Sequence, residues 1–242
     1  MKKKKKIGIL TYHHTPNEGA TLQAYALSKN LQKFFSDYTI EIIDYRSLNM
    51  EMLHLLEPFL VKKKSVLLPR FSLRKLRRYL RLSRFSKEVL PLSKGKCITE
   101  NYGSALRFIK GLNYDVLITG SDSVWKVIPS HFKRKFPNVH WLSPDIECKK
   151  IAFAASANKT LLTKISRDDK RIMGESVSHM DLIGVRDNHT YEFVESLIGE
   201  TDKLFRTPDP TFMFKIKKTN AEKILIDAGV NLKKPIVGTV FV

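Results

Sequence analysis

The stretch IGILTYHHTPNEGATLQAYALSKNLQKFFSDYTIEIIDY, residues 7–45, decides the fold class. Ile7 to Tyr12 is a short apolar run that ends in polar residues, which reads as a buried first strand. From Ala20 to Phe35, Leu22, Tyr25, Ala26, Leu27, Leu31 and Phe34 recur at helical spacing. Tyr38 to Tyr45 is strand-like, with Ile40, Ile42 and Ile43 ahead of Asp44. Strand, helix, strand in that order is the βαβ unit of a parallel sheet.

The same rhythm returns further on. Asn101–Lys110 reads as a helix and Asp115–Thr119 as a strand. Lys150–Ala154, Leu182–Val185 and Lys203–Arg206 read as strands, separated by helices over Arg167–Met180 and Asn188–Ile198. Ala221–Ala228 reads as one more helix. The fold expected is α/β, a Rossmann-like parallel sheet flanked by helices. Between Ser47 and Lys96 the rhythm breaks. Leu73, Leu76, Leu80 and Phe85 are expected to share one helix face, with Arg74, Arg77, Arg78, Arg81 and Arg84 around the rest. That stretch, about residues 47–96, is read as a basic helical insertion. After Pro235 the run Ile236-Val-Gly-Thr-Val-Phe-Val242 has the look of a fully buried strand. The organisation expected is an N-terminal Rossmann-like domain over residues 1–232 and the first strand of a truncated second domain over 233–242. The other reading makes that run a last strand of the first sheet.

Charge is the most unusual bulk property. The formal net charge is +19. From Lys62 to Lys96, thirteen lysines and arginines stand against a single acid, Glu88. A field of this sign attracts nucleic acid, phosphorylated sugars or an acidic membrane surface. Two cysteines, Cys97 and Cys148, are too few for a disulfide framework, and no ligand cluster points to a metal. No apolar run has the roughly 18 residues of a membrane span. The stretch after the basic start is too short for a signal-peptide core. The location expected is cytoplasmic, with room for peripheral contact at the inner membrane face.

In open α/β sheets ligands bind beyond the carboxyl ends of the strands, so polar residues there are the candidates. After the first strand come His13 or His14, as acid or base, and Asn17 and Gly19 at the start of the helix, where free N–H groups favour an anion. With a single glycine, this loop is neither a dinucleotide fingerprint nor a P-loop. After strand 115–119 come Ser121 and Asp122, the latter placed to orient or deprotonate a hydroxyl. Arg186 follows strand 182–185 and can hold a carboxylate or phosphate by paired hydrogen bonds. Asp209 follows the short strand near Leu204. Each has a plainer reading as a helix cap, a turn or an ion pair.

Taken in order, these pieces resemble the polysaccharide pyruvyl transferase family. The resemblance rests on Ile7-Gly-Ile-Leu-Thr-Tyr-His with Asn17-x-Gly-Ala-x-Leu-Gln-Ala-Tyr-Ala-Leu27, on Ile42-Ile-Asp-Tyr-Arg46, and on Gly120-Ser-Asp-x-Val-Trp125. It continues through Lys149-Lys-Ile-Ala-Phe-Ala-Ala-Ser156, Val185-Arg186-Asp187 and Asp209-Pro-Thr211. Gly184 stands where the family usually carries Ser, and Asp187 where Glu is more common.

The resemblance implies the N-terminal half of a GT-B-like enzyme with two Rossmann-like domains facing a cleft. It implies transfer of the pyruvyl group from phosphoenolpyruvate, a donor substrate and not a cofactor, to a diol of a nucleotide- or lipid-linked sugar. The setting would be cell-surface polysaccharide synthesis. Asp122, Arg186 and His13 would then be catalytic, and Asn17, Gly19, Ser121 and Asp209 would bind substrate, with no metal and no cofactor. The family's main donor contacts lie in a C-terminal domain, so this chain alone is expected to be incomplete and inactive. Two other readings compete. One is a GT-B glycosyltransferase using a nucleotide sugar. The other is a nucleic-acid-binding module built on the basic stretch, with Phe71, Tyr79 and Phe85 interleaved. The same stretch also suits an acidic membrane, or simply a solvated face.

Overall fold

The computed structural model describes residues 4–63, 66–69, 71–127, 136–214 and 220–236. Its frame is a seven-stranded, wholly parallel sheet. The strands are β1 (Lys6–Leu10), β2 (Thr39–Arg46), β5 (Leu92–Ile98), β6 (Val116–Thr119), β7 (Lys149–Ala155), β8 (Leu182–Val185) and β9 (Leu204–Arg206). Their spatial order is β5-β2-β1-β6-β7-β8-β9. The chain therefore winds outward from β1 to β5, returns to the other side of β1 and winds out again. That reversal opens a crevice beyond the carboxyl ends of β1 and β6, the usual ligand site of doubly wound sheets.

Helices cover both faces. On one face lie α1 (Glu18–Phe34) and α3 (Leu73–Val89). There Ala24 and Leu27 of α1 pack with Ile7, Ile9, Ile40, Ile42 and Ile118 of the strands, joined by Phe85 of α3. On the other face lie α4 (Tyr102–Gly111), α5 (Arg167–Ser178) and α6 (Asn188–Ile198). Their Ile109, Met173, Val177 and Val194 enclose Leu117, Ile183 and the stacked Trp125–Trp141 pair, whose ring centroids are 5.1 Å apart. The strands are apolar on both faces because both are covered.

Outside the segment 47–96, the elements expected within the described residues appear within a residue or two of their expected ends. The expected strand over 236–242 falls almost wholly outside the described residues. The stretch over 47–96 departs from expectation in three ways. It does contain helices, α2 (Leu48–Leu56) and α3, but between them runs an antiparallel hairpin of β3 (Leu60–Lys63) and β4 (Val66–Pro69). It also ends in β5, an edge strand of the main sheet, so the insertion stops before Leu92. Lys94 and Lys96 hid that strand; charged residues are how an open sheet edge is kept from pairing with another chain. Third, α3 does not pack through Leu73 and Leu80, which are exposed. Its inward side is Leu76, Tyr79, Ser83 and Ser86, because the loop it covers offers polar groups.

Among the described residues, no helix is long and apolar enough to cross a membrane. Cys97 and Cys148 are free, and burial pushes both thiols up from their ordinary pKa.

Candidate functional site

Loops at the carboxyl ends of β1, β2, β5 and β6, together with α2, enclose a cavity of about 250 Å³. That is close to the small end of small-molecule sites, roughly 300–1,000 Å³. Four histidines line it: His13, His14, His54 and His140. So do Tyr45, Arg46, Glu51 and Asp122.

The best-held part is the tip of β2. Asp44 and Arg46 are two residues apart on a strand, so their side chains share one face. Both are buried. Arg46 donates from Nε to Asp44 Oδ1 at 2.6 Å and from Nη2 to Oδ2 at 3.1 Å, a paired grip. His13 Nε2 meets the same Oδ1 at 3.0 Å, while its Nδ1 faces the Thr11 carbonyl at 3.2 Å. Both partners of His13, a carboxylate and a carbonyl, are acceptors, and they fix the ring's orientation. Burial by itself would raise the Asp44 pKa. The hydrogen bonds from His13 and Arg46 outweigh it and bring the carboxyl down to about 2.

His14 is held differently. Its Nδ1 lies 2.6 Å from Glu51 Oε1 of α2, and its Nε2 3.0 Å from Ser83 Oγ of α3. A carboxylate only accepts, so Nδ1 carries the hydrogen and the Ser83 hydroxyl can donate to Nε2. Arg46 Nη1, 3.5 Å from Glu51 Oε2, links the two histidine clusters. Desolvation pushes the Glu51 pKa up, but the bond to His14 prevails and it ends low. His54 lies one turn after Glu51 on the same helix. Burial lowers its pKa, which favours a neutral imidazole, and its Nδ1 has no hydrogen-bond partner among the described residues.

Across the cavity, Asp122 follows β6. Its backbone has a φ of +91° and bridges to Ala155, and its Oδ1 accepts from the Ser123 amide at 2.6 Å. Gly120, two residues earlier, has a φ of +110°, and a Cβ there would lie 2.2 Å from the Phe153 carbonyl oxygen. The turn that presents Asp122 thus needs glycine. His140 is fixed through its carbonyl, which accepts from Thr119 Oγ1 and from the Trp125 indole. Its ring lies against Tyr12 at 4.9 Å and Tyr45 at 5.9 Å. Buried Lys150 anchors the following segment by donating to the carbonyls of Ser143, Pro144 and Ile146.

Of the residues singled out from the sequence, His13, Asn17 and Asp122 line this cavity. Asn17 does so while capping α1: its Oδ1 accepts from the amides of Gly19 and Ala20. Gly19 is not part of the cavity wall, and its amide is taken by that cap. Ser121 is fully buried behind the wall; its carbonyl accepts from Thr11 and its hydroxyl has no partner among the described residues. Arg186 and Asp209 stand at the same edge of the sheet but outside the cavity. They face each other at 3.6 Å, and Asp209 also accepts from Gln23 of α1 and caps the turn after β9. Asp187, next to Arg186, caps α6 through Thr190.

The sequence reading missed Asp44, Arg46, Glu51, His54 and His140 as site residues. An Asp and an Arg at alternate positions of a strand end were a usable signal, as were Glu51 and His54 three apart on one helix face. His140 carried no local signal. Among the described residues, no cluster of three or more His, Cys, Asp or Glu side chains could hold a metal ion.

Comparison with known proteins bears on what this cleft serves. Residues 17–237 match the family model described as polysaccharide pyruvyl transferase. A search of the curated proteins found no match. The match begins at the cap of α1, covers every strand after β1 and reaches past α7 (Ala221–Asp227), nearly the whole chain, so the chain belongs to the polysaccharide pyruvyl transferase family.

Proposed function

We propose that this protein transfers the pyruvyl group of phosphoenolpyruvate to two hydroxyls of a nucleotide- or lipid-linked sugar, forming a cyclic ketal for cell-surface polysaccharide. The observation that carries the reading is the family match over a sheet whose switch-point cleft gathers carboxylates and imidazoles. The reaction needs such groups. Protonation of the donor's methylene carbon makes C2 electrophilic, and one sugar hydroxyl adds there and loses its proton. The C2–O bond to phosphate then breaks, phosphate leaves, and the second hydroxyl adds with loss of its proton. The products are the ketal and inorganic phosphate.

On this reading Asp122 takes the acceptor's hydroxyl proton, and His13, oriented by Asp44, supplies the proton to the methylene carbon. Arg186, part exposed and tied only loosely to Asp209, holds the donor's carboxylate or phosphate at the cleft's outer margin, with Asp209 setting its direction. Asn17, Gly19 and Ser121 act through the shape of the two loops. The sheet is the N-terminal half of a GT-B-like enzyme, and a partner domain completes the donor site.

The test is to incubate the full-length protein with phosphoenolpyruvate and a panel of nucleotide- and lipid-linked sugars, following phosphate release and product mass. A product heavier by one pyruvyl ketal is expected. Asp122→Asn should lower kcat at least about a hundredfold, the lower end for a lost acid or base. Turnover of a nucleotide sugar with no phosphate released from phosphoenolpyruvate would replace this reading with glycosyl transfer.

A further inference from the structure

Helix α2 has two unlike sides. Its inner side, with Met50, Glu51 and His54, forms a wall of the cavity. Its outer side is apolar and open. Leu48, Met52, Leu55 and, on the turn that follows, Phe59 recur at intervals of four, three and four residues, and all are exposed. No residue of α2 is buried, and Leu55 is 57 % exposed. A soluble surface helix normally turns such residues inward. Here the inward side is spent on the cavity.

The apolar strip runs into a basic one. Phe71 is 58 % exposed and packs on Phe59, with ring centroids 5.6 Å apart. The Ser72 amide donates to the Pro58 carbonyl, which fixes the start of α3 against the end of α2. Along α3 the exposed side carries Leu73 and Leu80, with Arg74, Arg77, Arg81 and Arg84 beside them. Arg84 is paired with Glu88, and Arg78 at the margin with Glu18. Arg74, Arg77 and Arg81 have no acidic partner among the described residues.

We infer that this face docks on an anionic lipid bilayer, with the outer side of α2 among the acyl chains near the headgroups and the arginines of α3 on the headgroup phosphates. Apolar side chains bordered by uncompensated cations are the chemistry of an interfacial helix on an acidic membrane. Nucleic acid would use the arginines but leave the leucines and phenylalanines in water. A second copy joined by a two-fold axis would bring arginine strips of like charge together. Because α2 is a single helix about 10 Å across, docking sets the cavity just above the headgroups. If the pyruvyl-transfer reading holds, the acceptor that fits this placement is a sugar on a lipid carrier.

The test is co-sedimentation of the full-length protein with vesicles of phosphatidylcholine, alone or mixed with phosphatidylglycerol. Binding is expected only with phosphatidylglycerol, and it should weaken as salt is raised. Arg77→Gln with Arg81→Gln should weaken it about thirtyfold, the combined effect of two surface charges. Leu55→Glu should reduce it as well, with Tm unchanged because the site is exposed. Equal sedimentation with both vesicle types, none with either, or binding by the variants equal to wild type overturns the proposal. So does a concentration-dependent dimer, or DNA binding, that the variants abolish while vesicles are ignored. No substrate enters the assay, so its failure leaves pyruvyl transfer untouched, and failure of pyruvyl transfer leaves the docking result standing.

Discussion

The sheet and the segment between β2 and β5 hold two neighbouring histidines by different means. His13 belongs to the sheet: its ring is clamped by Asp44 on β2 and by the turn carbonyl of Thr11. His14 belongs to the inserted segment: its ring is clamped by Glu51 of α2 and Ser83 of α3. The first clamp is buried, and its carboxylate is also gripped by Arg46. The second is a lighter chain of one carboxylate and one hydroxyl, part-buried, on helices whose other sides face solvent. The sheet thus supplies the more deeply buried wall and the insertion the more exposed one, and the cleft lies between them.

The largest break should come from Asp44. Asp44→Ala leaves Arg46 and His13 buried without their shared partner, and removing one member of a buried pair costs about 3–5 kcal/mol. For a chain of this size Tm should fall by roughly 10 °C in a thermal melt. Glu51→Ala, on the half-buried side, should cost clearly less. Equal losses would mean that the two clamps are not different in kind.

Acid should separate them next. Asp44 has a folded pKa of about 2 against an ordinary value of 3.8. A depressed carboxyl stabilises the fold above its unfolded pKa, and that contribution is lost as pH falls from about 4 toward 2. Its size is about 2 kcal/mol. Glu51 is depressed too and adds loss of the same sign starting near its ordinary 4.5. Urea unfolding across this range should show stability falling with acid. Asp44→Asn should flatten the lower part of the curve and leave the upper part in place.

The sheet was legible in the sequence because it obeys local rules. β1, α1 and β2 announce themselves by period, and the later strands by short apolar runs closed with polar residues. The insertion was less legible because its packing is not apolar. Ser83 and Ser86 face inward on α3 to meet His14 and the His13 carbonyl, so a reading that seeks apolar residues finds Leu76 and Phe85 but adds the exposed Leu73 and Leu80. The site divides in the same way. His13 and Asp122 could be placed by the rule that ligands sit at strand ends. Glu51 and His54 lie outside that rule: their shared helix face was a local sign, but only the long-range fold of the insertion brings them to the cleft.

Gly184 sharpens the comparison within the sheet. A Cβ there would fall 2.1 Å from Thr207 Oγ1 and 3.1 Å from the Ala152 carbonyl oxygen. Thr207 is buried, and its hydroxyl has no partner among the described residues, so it fills the room a side chain at 184 would take. Gly184→Ser should therefore destabilise by about 1–3 kcal/mol, as overpacked cores do. Thr207→Ala in the same chain should recover most of that, a coupling that a double-mutant cycle measures directly. Without recovery, the clash with Ala152 dominates and position 184 is closed by backbone.

The smallest effect compares how α3 holds the two histidines through two serines. Ser86 Oγ is fully buried and donates to the His13 carbonyl at 2.7 Å. Ser86→Ala leaves that carbonyl without its donor and should cost about 1–3 kcal/mol. Ser83 Oγ meets Nε2 of His14 at 3.0 Å in a part-buried contact. Ser83→Ala should cost about 1 kcal/mol or less. The order matters more than either value. If Ser83 proved the costlier loss, His14 and not the His13 turn would be the point where α3 grips the cleft.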